Sequence, residues 1–168
     1  TGYYPRRDNP LPNKEIAYLG LEFDQRNLLP RGMLISKVYS ASALYDFYGI
    51  REGDILYSVN GYILTPQTPL DSLFTNKVNK KLDLVFKRGN KAIFASVKGL
   101  SWSQNREIWF NDKVERKRLT TEVLSEGNVG YVYIPRMNGE EYNNFISDVF
   151  SRNADKKALI IDIRGNEG

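Results

Sequence analysis

The run at residues 49–61, GIREGDILYSVNG, compresses a helix stop, a tight turn and a strand into one short stretch. Ahead of it, residues 42–48 form a helix-sized segment opened by Ser42, whose hydroxyl can accept an N-cap hydrogen bond. Gly49 falls where a left-handed residue closes such a helix, and Ile50 supplies the apolar contact that follows the cap. Arg51, Glu52 and Gly53 are turn residues. Asp54 then leads into a strand through Ile55, Leu56, Tyr57, Ser58 and Val59, which Asn60 and Gly61 end.

This order of helix, Gly, Ile, turn, Gly-Asp-Ile-Leu, strand and Asn-Gly resembles the core of a PDZ domain. The Ser-Pro helix start common in that family is replaced by Ser42, Ala43 and Leu44, a departure at helix entry that leaves the turn intact.

At 168 residues the chain has room for one ordinary domain, or for a unit of about 90 to 100 residues with a further segment. With 41% hydrophobic and 26% charged residues it reads as globular. No apolar run approaches the roughly 18 residues of a membrane span. No signal-peptide pattern opens the chain, which leaves the compartment open, with a periplasmic or surface-associated setting favoured over a cytoplasmic one. The absence of Cys and His excludes disulfides, thiol nucleophiles, Cys/His zinc sites and a Ser/His/Asp triad within these residues. No cofactor or metal is implied. Net charge is +4, and the densest basic run, residues 113–118, is interrupted by Val114 and Glu115. That pattern fits a solvated helix face and argues against a nucleic-acid partner.

Residues 1–14 carry three prolines and read as an extended lead-in. Residues 16–23 can form a strand, and the Tyr18-Leu19-Gly20-Leu21 run within it resembles the carboxylate-binding loop of PDZ domains. Gly20 would let the backbone turn so that successive amides point into one concavity, where a peptide's terminal carboxylate can be held without a charged side chain. The same Gly also suits an ordinary strand bulge, and its place upstream of the 49–61 run favours the loop. A second strand is expected over residues 32–39, a short one over 62–64 and a helix over 70–76 that carries Leu70, Leu73 and Phe74 on one face. In the PDZ resemblance this helix and the strand after the loop flank a peptide groove. Tyr18, Leu19, Gly20, Leu21, Leu70, Leu73 and Phe74 are therefore the candidate peptide-binding residues, and core packing alone would also account for the apolar ones. Residues 82–87 and 92–97 complete the unit as a hairpin.

Residues 101–125 change to a charged helical pattern whose apolar members, Ile108, Trp109, Phe110, Val114 and Leu119, fall on more than one face. This reads as a connector helix. Residues 129–134 form an apolar strand. Residues 138–150 are the clearest helix, with Asn138 as N-cap, Glu141 three positions on, Met137 placed to staple against Tyr142, and a stripe of Tyr142, Phe145, Ile146, Val149 and Phe150. A second apolar strand over 158–163 makes a strand-helix-strand unit with parallel strands and a right-handed crossover.

The runs VGYVYIPRMNGEEYNNF and KALIIDIRGNEG are similar to the start of the catalytic core in carboxyl-terminal processing peptidases, above all tricorn-type serine peptidases. Gly130, Tyr131, Pro135, Met137, Asp162, Arg164, Asn166 and Gly168 match that family's order, while Gly165 and Glu167 depart from it. The resemblance implies that the amide of Gly168 contributes to an oxyanion hole. It also implies that the nucleophilic Ser and its base lie outside these residues. A strand-end turn is the plain alternative for Gly168. Asp162 and Arg164 share a strand face, could pair with each other or with loop groups, and are read as structural rather than as acid and base.

The expected fold is α+β: a PDZ-like, partly open β-barrel with two helices, then a connector helix and a β-α-β crossover unit that begins an α/β catalytic core. The expected organisation is a lead-in at 1–15, a PDZ domain at 16–100, a connector at 101–127 and the start of the peptidase core at 128–168. The expected partners are peptide or protein C-termini. A homo-oligomer is also expected as a possibility, because two parallel strands and one helix leave a sheet face and two edges to be covered by the connector, the PDZ unit or another copy. The alternative function is a non-catalytic PDZ adaptor or assembly module.

Overall fold

The computed structural model describes residues 15–168, and for residues 25–28 the backbone only. The lead-in expected before Glu15 lies outside the described residues. The chain divides between Phe110 and Asn111 into two compact units.

The first unit is built on one antiparallel sheet. Its strands are β1 (Leu21–Leu28), β2 (Met33–Val38), β3 (Ile55–Val59), β4 (Tyr62–Ile63), β5 (Lys81–Arg88) and β6 (Lys91–Lys98). The spatial order is β1-β2-β3-β5-β6, with β4 paired to β3. Two bulges set the phase of the core. Between Phe23 and Glu22 the register with β2 slips by one residue, so that Ile35 and Val38, three apart, are both buried. A second slip, on β3 opposite β5, lets Ser58 and Val59 both face inward beside Leu56. In β5 the alternation is regular. Leu82, Leu84 and Phe86 are buried while Lys81 and Asp83 are exposed, and each such apolar side chain contributes about 1.5–3 kcal/mol by leaving water.

The 49–61 run folds as its sequence predicts. Helix α1 (Ala43–Asp46) is capped by the Ser42 hydroxyl, which accepts from the Tyr45 amide at 3.3 Å. Gly49 adopts φ +64°, which lets the Ile50 amide return to the Leu44 carbonyl at 2.9 Å and places Ile50 in the core beside Leu44. Helix α2 (Leu70–Phe74) is shorter than the predicted 70–76, because Thr75 is extended and Asn76 takes φ +57°.

The predicted strand over 16–23 is a real departure. Gly20 sits at φ +73°, which breaks the strand in two. The part before it pairs elsewhere, Ile16 with Thr75 and Tyr18 with Leu100, and the part after it begins β1.

Helix α3 (Trp102–Leu124) runs across the division. Its start is fixed by a reciprocal capping box: the Ser101 amide donates to Gln104 Oε1 at 2.8 Å, and the Gln104 amide donates to Ser101 Oγ at 3.2 Å.

In the second unit, β7 (Val129–Tyr133) and β8 (Ala158–Asp162) are parallel, with Val129 opposite Ala158 and Tyr133 opposite Asp162. Helix α4 (Gly139–Ser147) starts on Asn138, whose Oδ1 accepts from the Glu141 amide at 2.9 Å. It does not continue as an α-helix to residue 150 but widens into a π-helical turn over Asp148–Arg152. The predicted stripe is covered only in its middle. Phe145, Ile146 and Val149 are half-buried, whereas Tyr142 and Phe150 are exposed. Phe150 lies in the π-helical turn rather than on α4, and the wider turn takes it off the phase of the stripe. Met137 and Tyr142 are both exposed.

Candidate functional site

In the first unit the candidate loop from Tyr18 to Leu21 turns at Gly20. Its φ of +73° favours glycine, and a Cβ there would stand 2.6 Å from that of Ser42, the buried cap of α1. Tyr18 is locked upstream by two hydrogen bonds with Leu100, each 2.9 Å. Leu19 is buried in the core and Leu21 packs against it. The Gly20 carbonyl accepts from the Tyr39 amide at 3.0 Å, and the Gly20 amide donates to Asn105 Oδ1 at 3.0 Å. Directly after this loop comes β1, an end strand whose ladder partner among the described strands is β2 alone. Phe74 is buried, and Leu70 and Leu73 are partly buried against the same core.

The Asp54 carboxylate holds the 49–61 turn from within. Arg88 Nε and Nη2 reach its two oxygens at 2.6 and 2.7 Å, the Arg51 amide donates to Oδ2 at 2.8 Å, and Arg88 Nη2 also reaches the Gly49 carbonyl at 2.7 Å. Burial pushes the Asp54 carboxyl up, but the hydrogen bonds from Arg88 and Arg51 outweigh it and hold the group below the usual carboxylate range.

In the second unit Asp162 is the hub. Arg164 grips it with Nε at 2.8 Å, Nη2 at 2.6 Å and its own amide at 3.1 Å. Lys117 Nζ donates to Asp162 Oδ2 at 2.9 Å and the buried Tyr131 hydroxyl donates to it at 2.5 Å. Arg164, then Tyr131 and Lys117, hold the Asp162 carboxyl far below the usual range against the effect of burial. Burial and the neighbouring carboxylate push the Tyr131 hydroxyl up, and the bond to Asp162 pushes Lys117 up. A donor held this firmly in its protonated form, on a carboxylate this firmly ionised, makes a structural clamp rather than an acid and a base. Gly130 is tight for a related reason: a Cβ there would overlap the Asn153 carboxamide.

The terminal turn is tied back to the segment after β7. The Asn166 side chain donates to the Ile134 carbonyl at 2.9 Å, the Glu167 amide to the Pro135 carbonyl at 3.1 Å and the Met137 amide to the Gly168 carbonyl at 3.1 Å. Gly168 itself has φ +85°, and its amide donates to Asn166 Oδ1 at 2.8 Å. Among the described residues no cluster of His, Cys, Asp and Glu could hold a metal, and no helix is long and apolar enough to cross a membrane.

No family model matches the chain. It is 30% identical over 145 residues to the putative tricorn protease homolog 2 of Streptomyces coelicolor, an alignment covering 85% of this chain and 12% of that protein. The chain is related to the tricorn proteases. The crystal structure of the tricorn protease has the same fold over this stretch, with a TM-score of 0.74 at 19% identity, covering 92% of this chain and 15% of that one. This tricorn-related chain thus spans about an eighth of the length of the curated relative.

Within it, of the two pairings open to Asp162 and Arg164, the structure forms the one with each other, and Lys117 and Tyr131, which carry no local signal of this role, join them from α3 and β7. Asn105, which accepts from the Gly20 amide, likewise carries no local signal of that contact, and Arg88 falls between the expected strands 82–87 and 92–97. The S-x-x-Q spacing of Ser101 and Gln104 was a usable signal for where α3 begins and hence for where Asn105 sits.

Proposed function

We propose that this chain is a PDZ-type peptide-binding unit, residues 16–100, joined through a connector at 101–127 to the opening segment of a tricorn-like serine peptidase core at 128–168. The unit takes peptide C-termini and presents them to the catalytic core. The observation that carries this reading is an end strand, β1, that follows directly on a left-handed glycine loop. An extended peptide can add to such an edge by main-chain hydrogen bonds while the loop amides receive its carboxylate. Leu19, Gly20 and Leu21 supply the amides, and Tyr18, Leu70, Leu73 and Phe74 border the groove.

Gly168 is assigned an amide of the oxyanion hole, which requires its N–H to leave Asn166 for the tetrahedral intermediate. The chain has no His to serve as a base, so the nucleophile and its base are assigned to the parent protein outside these residues, and the chain alone is inactive. The test is a fluorescence-polarisation titration of hydrophobic-ended peptides as free acids and as C-terminal amides. Free acids are expected to bind with micromolar affinity, near −8 kcal/mol, and amides more weakly. Equal affinity would remove the carboxylate role.

A further inference from the structure

We infer that Asn105 is a built-in competitor for the carboxylate loop, its side-chain oxygen standing where one oxygen of an incoming peptide carboxylate would be received. The inference rests on the peptide-binding reading above and adds to it a resident occupant that a ligand must displace.

Three observations lead here. The Gly20 amide is the loop donor whose position is set by a left-handed backbone, and it donates to Asn105 Oδ1 at 3.0 Å across 85 positions of sequence. A carboxamide oxygen has the same sp² geometry as a carboxylate oxygen, so it fits a site shaped for the latter. Both sides of the contact are also fixed independently of it. The Tyr18–Leu100 pair clamps the chain two residues before Gly20, and the Ser101–Gln104 capping box sets the first turn of α3 immediately before Asn105. The contact is therefore pre-organised.

The chemistry defines the competition. Asn105 offers a neutral acceptor, whereas a peptide C-terminus offers a charged one, and charge-assisted hydrogen bonds are the stronger. A free acid can displace Asn105, but its apparent affinity is lowered by the fraction of molecules in which the loop is already occupied. A C-terminal amide has no such advantage over the resident carboxamide. Asn105 thus weakens binding of free C-termini and of neutral chain ends by the same factor, and the discrimination between them comes from the charge of the carboxylate.

The test is a variant series in the full chain. Fluorescein-labelled peptides ending in Leu, Val or Phe, as free acids and as amides, are titrated into the unchanged protein, Asn105→Ala and Asn105→Asp. Removing the acceptor is expected to tighten free-acid binding roughly 2- to 10-fold, the range of one ordinary hydrogen bond. Asn105→Asp, which puts a resident carboxylate at the same place, is expected to weaken it. The Gly20 amide is followed by NMR as a second readout. It should exchange faster in Asn105→Ala and shift downfield in Asn105→Asp. Tighter free-acid binding in Asn105→Ala together with weaker binding in Asn105→Asp supports the competitor, and the reverse pattern overturns it. If both variants weaken binding or leave it unchanged while free acids still bind better than amides, Asn105 is a structural tie and the inference falls, leaving the peptide-binding reading intact. No binding by any of the three proteins overturns both.

Discussion

Arg88 at the end of β5 grips both carboxylate oxygens of Asp54 at the head of β3, and the same guanidinium holds the carbonyl of Gly49 at the close of α1. One side chain thus ties together the helix stop, the turn and the strand of the 49–61 run. Asp54 is almost wholly buried, while the Arg88 side chain is 49% exposed. Arg88→Ala would leave a buried carboxylate with the Arg51 amide as its remaining named donor. Half of the Arg88 side chain already lies in water, so the loss is smaller than for a fully buried pair but still a clear destabilisation. Urea unfolding should show that loss.

The same pair sets an acid limit. Because folding lowers the Asp54 pKa, its contribution is present above the unfolded value of about 3.9 and is lost as pH falls through the lower folded value. Asp162 acts in the same direction in the second unit. Stability measured from pH 6 downward should fall in the region below about pH 4. The fall should be shallower in Asp54→Asn and Asp162→Asn, each of which begins from a lower neutral-pH stability.

Around Asp162 the three donors should rank by burial. Tyr131 is buried, Lys117 is about one-third exposed and Arg164 is 79% exposed. Tyr131→Phe should cost about 1.5–3 kcal/mol, as expected for a buried hydrogen bond to a charge. Arg164→Ala should cost less than Tyr131→Phe despite its three contacts, because its exposed guanidinium is solvated in either state. A reversed order in denaturant unfolding would contradict the clamp.

Gly20→Ala should be worse than Gly89→Ala. Both glycines have positive φ, +73° and +58°, and each substitution carries about 1–2 kcal/mol of left-handed strain. Gly89 opens on free space, whereas a Cβ on Gly20 meets Ser42 and disturbs the cap of α1. The difference between the two unfolding energies isolates the steric part.

What could be read in the sequence was chemistry between near neighbours. The Ser42 cap, the Gly49 closure, the hairpin turn before Lys91 and the Asn138 cap each involve residues a few positions apart, where residue type fixes backbone geometry. Bulges were not legible, because a slip at Phe23 or at Ser58 depends on the partner strand. Nor were the long-range polar ties: Asn105 is 85 positions from Gly20, Lys117 is 45 from Asp162 and Arg88 is 34 from Asp54. A charged or amide side chain on a helix or hairpin carries no local mark of the distant group it meets. Nor was the π-helical turn at Asp148–Arg152, which takes Phe150 off the stripe, marked in the sequence.

Peptide addition to β1 beside the Gly20 loop is what we propose, and the other peptide-site assignments depend on it. It is tested most directly by backbone amide NMR of the chain as a free-acid peptide with a hydrophobic end is titrated in. Perturbed amides are expected to cluster at Leu19, Gly20, Leu21 and along β1, with smaller changes on α2 from Leu70 to Phe74. Perturbations confined to β6, the opposite end strand of the sheet, or an unperturbed Gly20 amide at saturation, would contradict it.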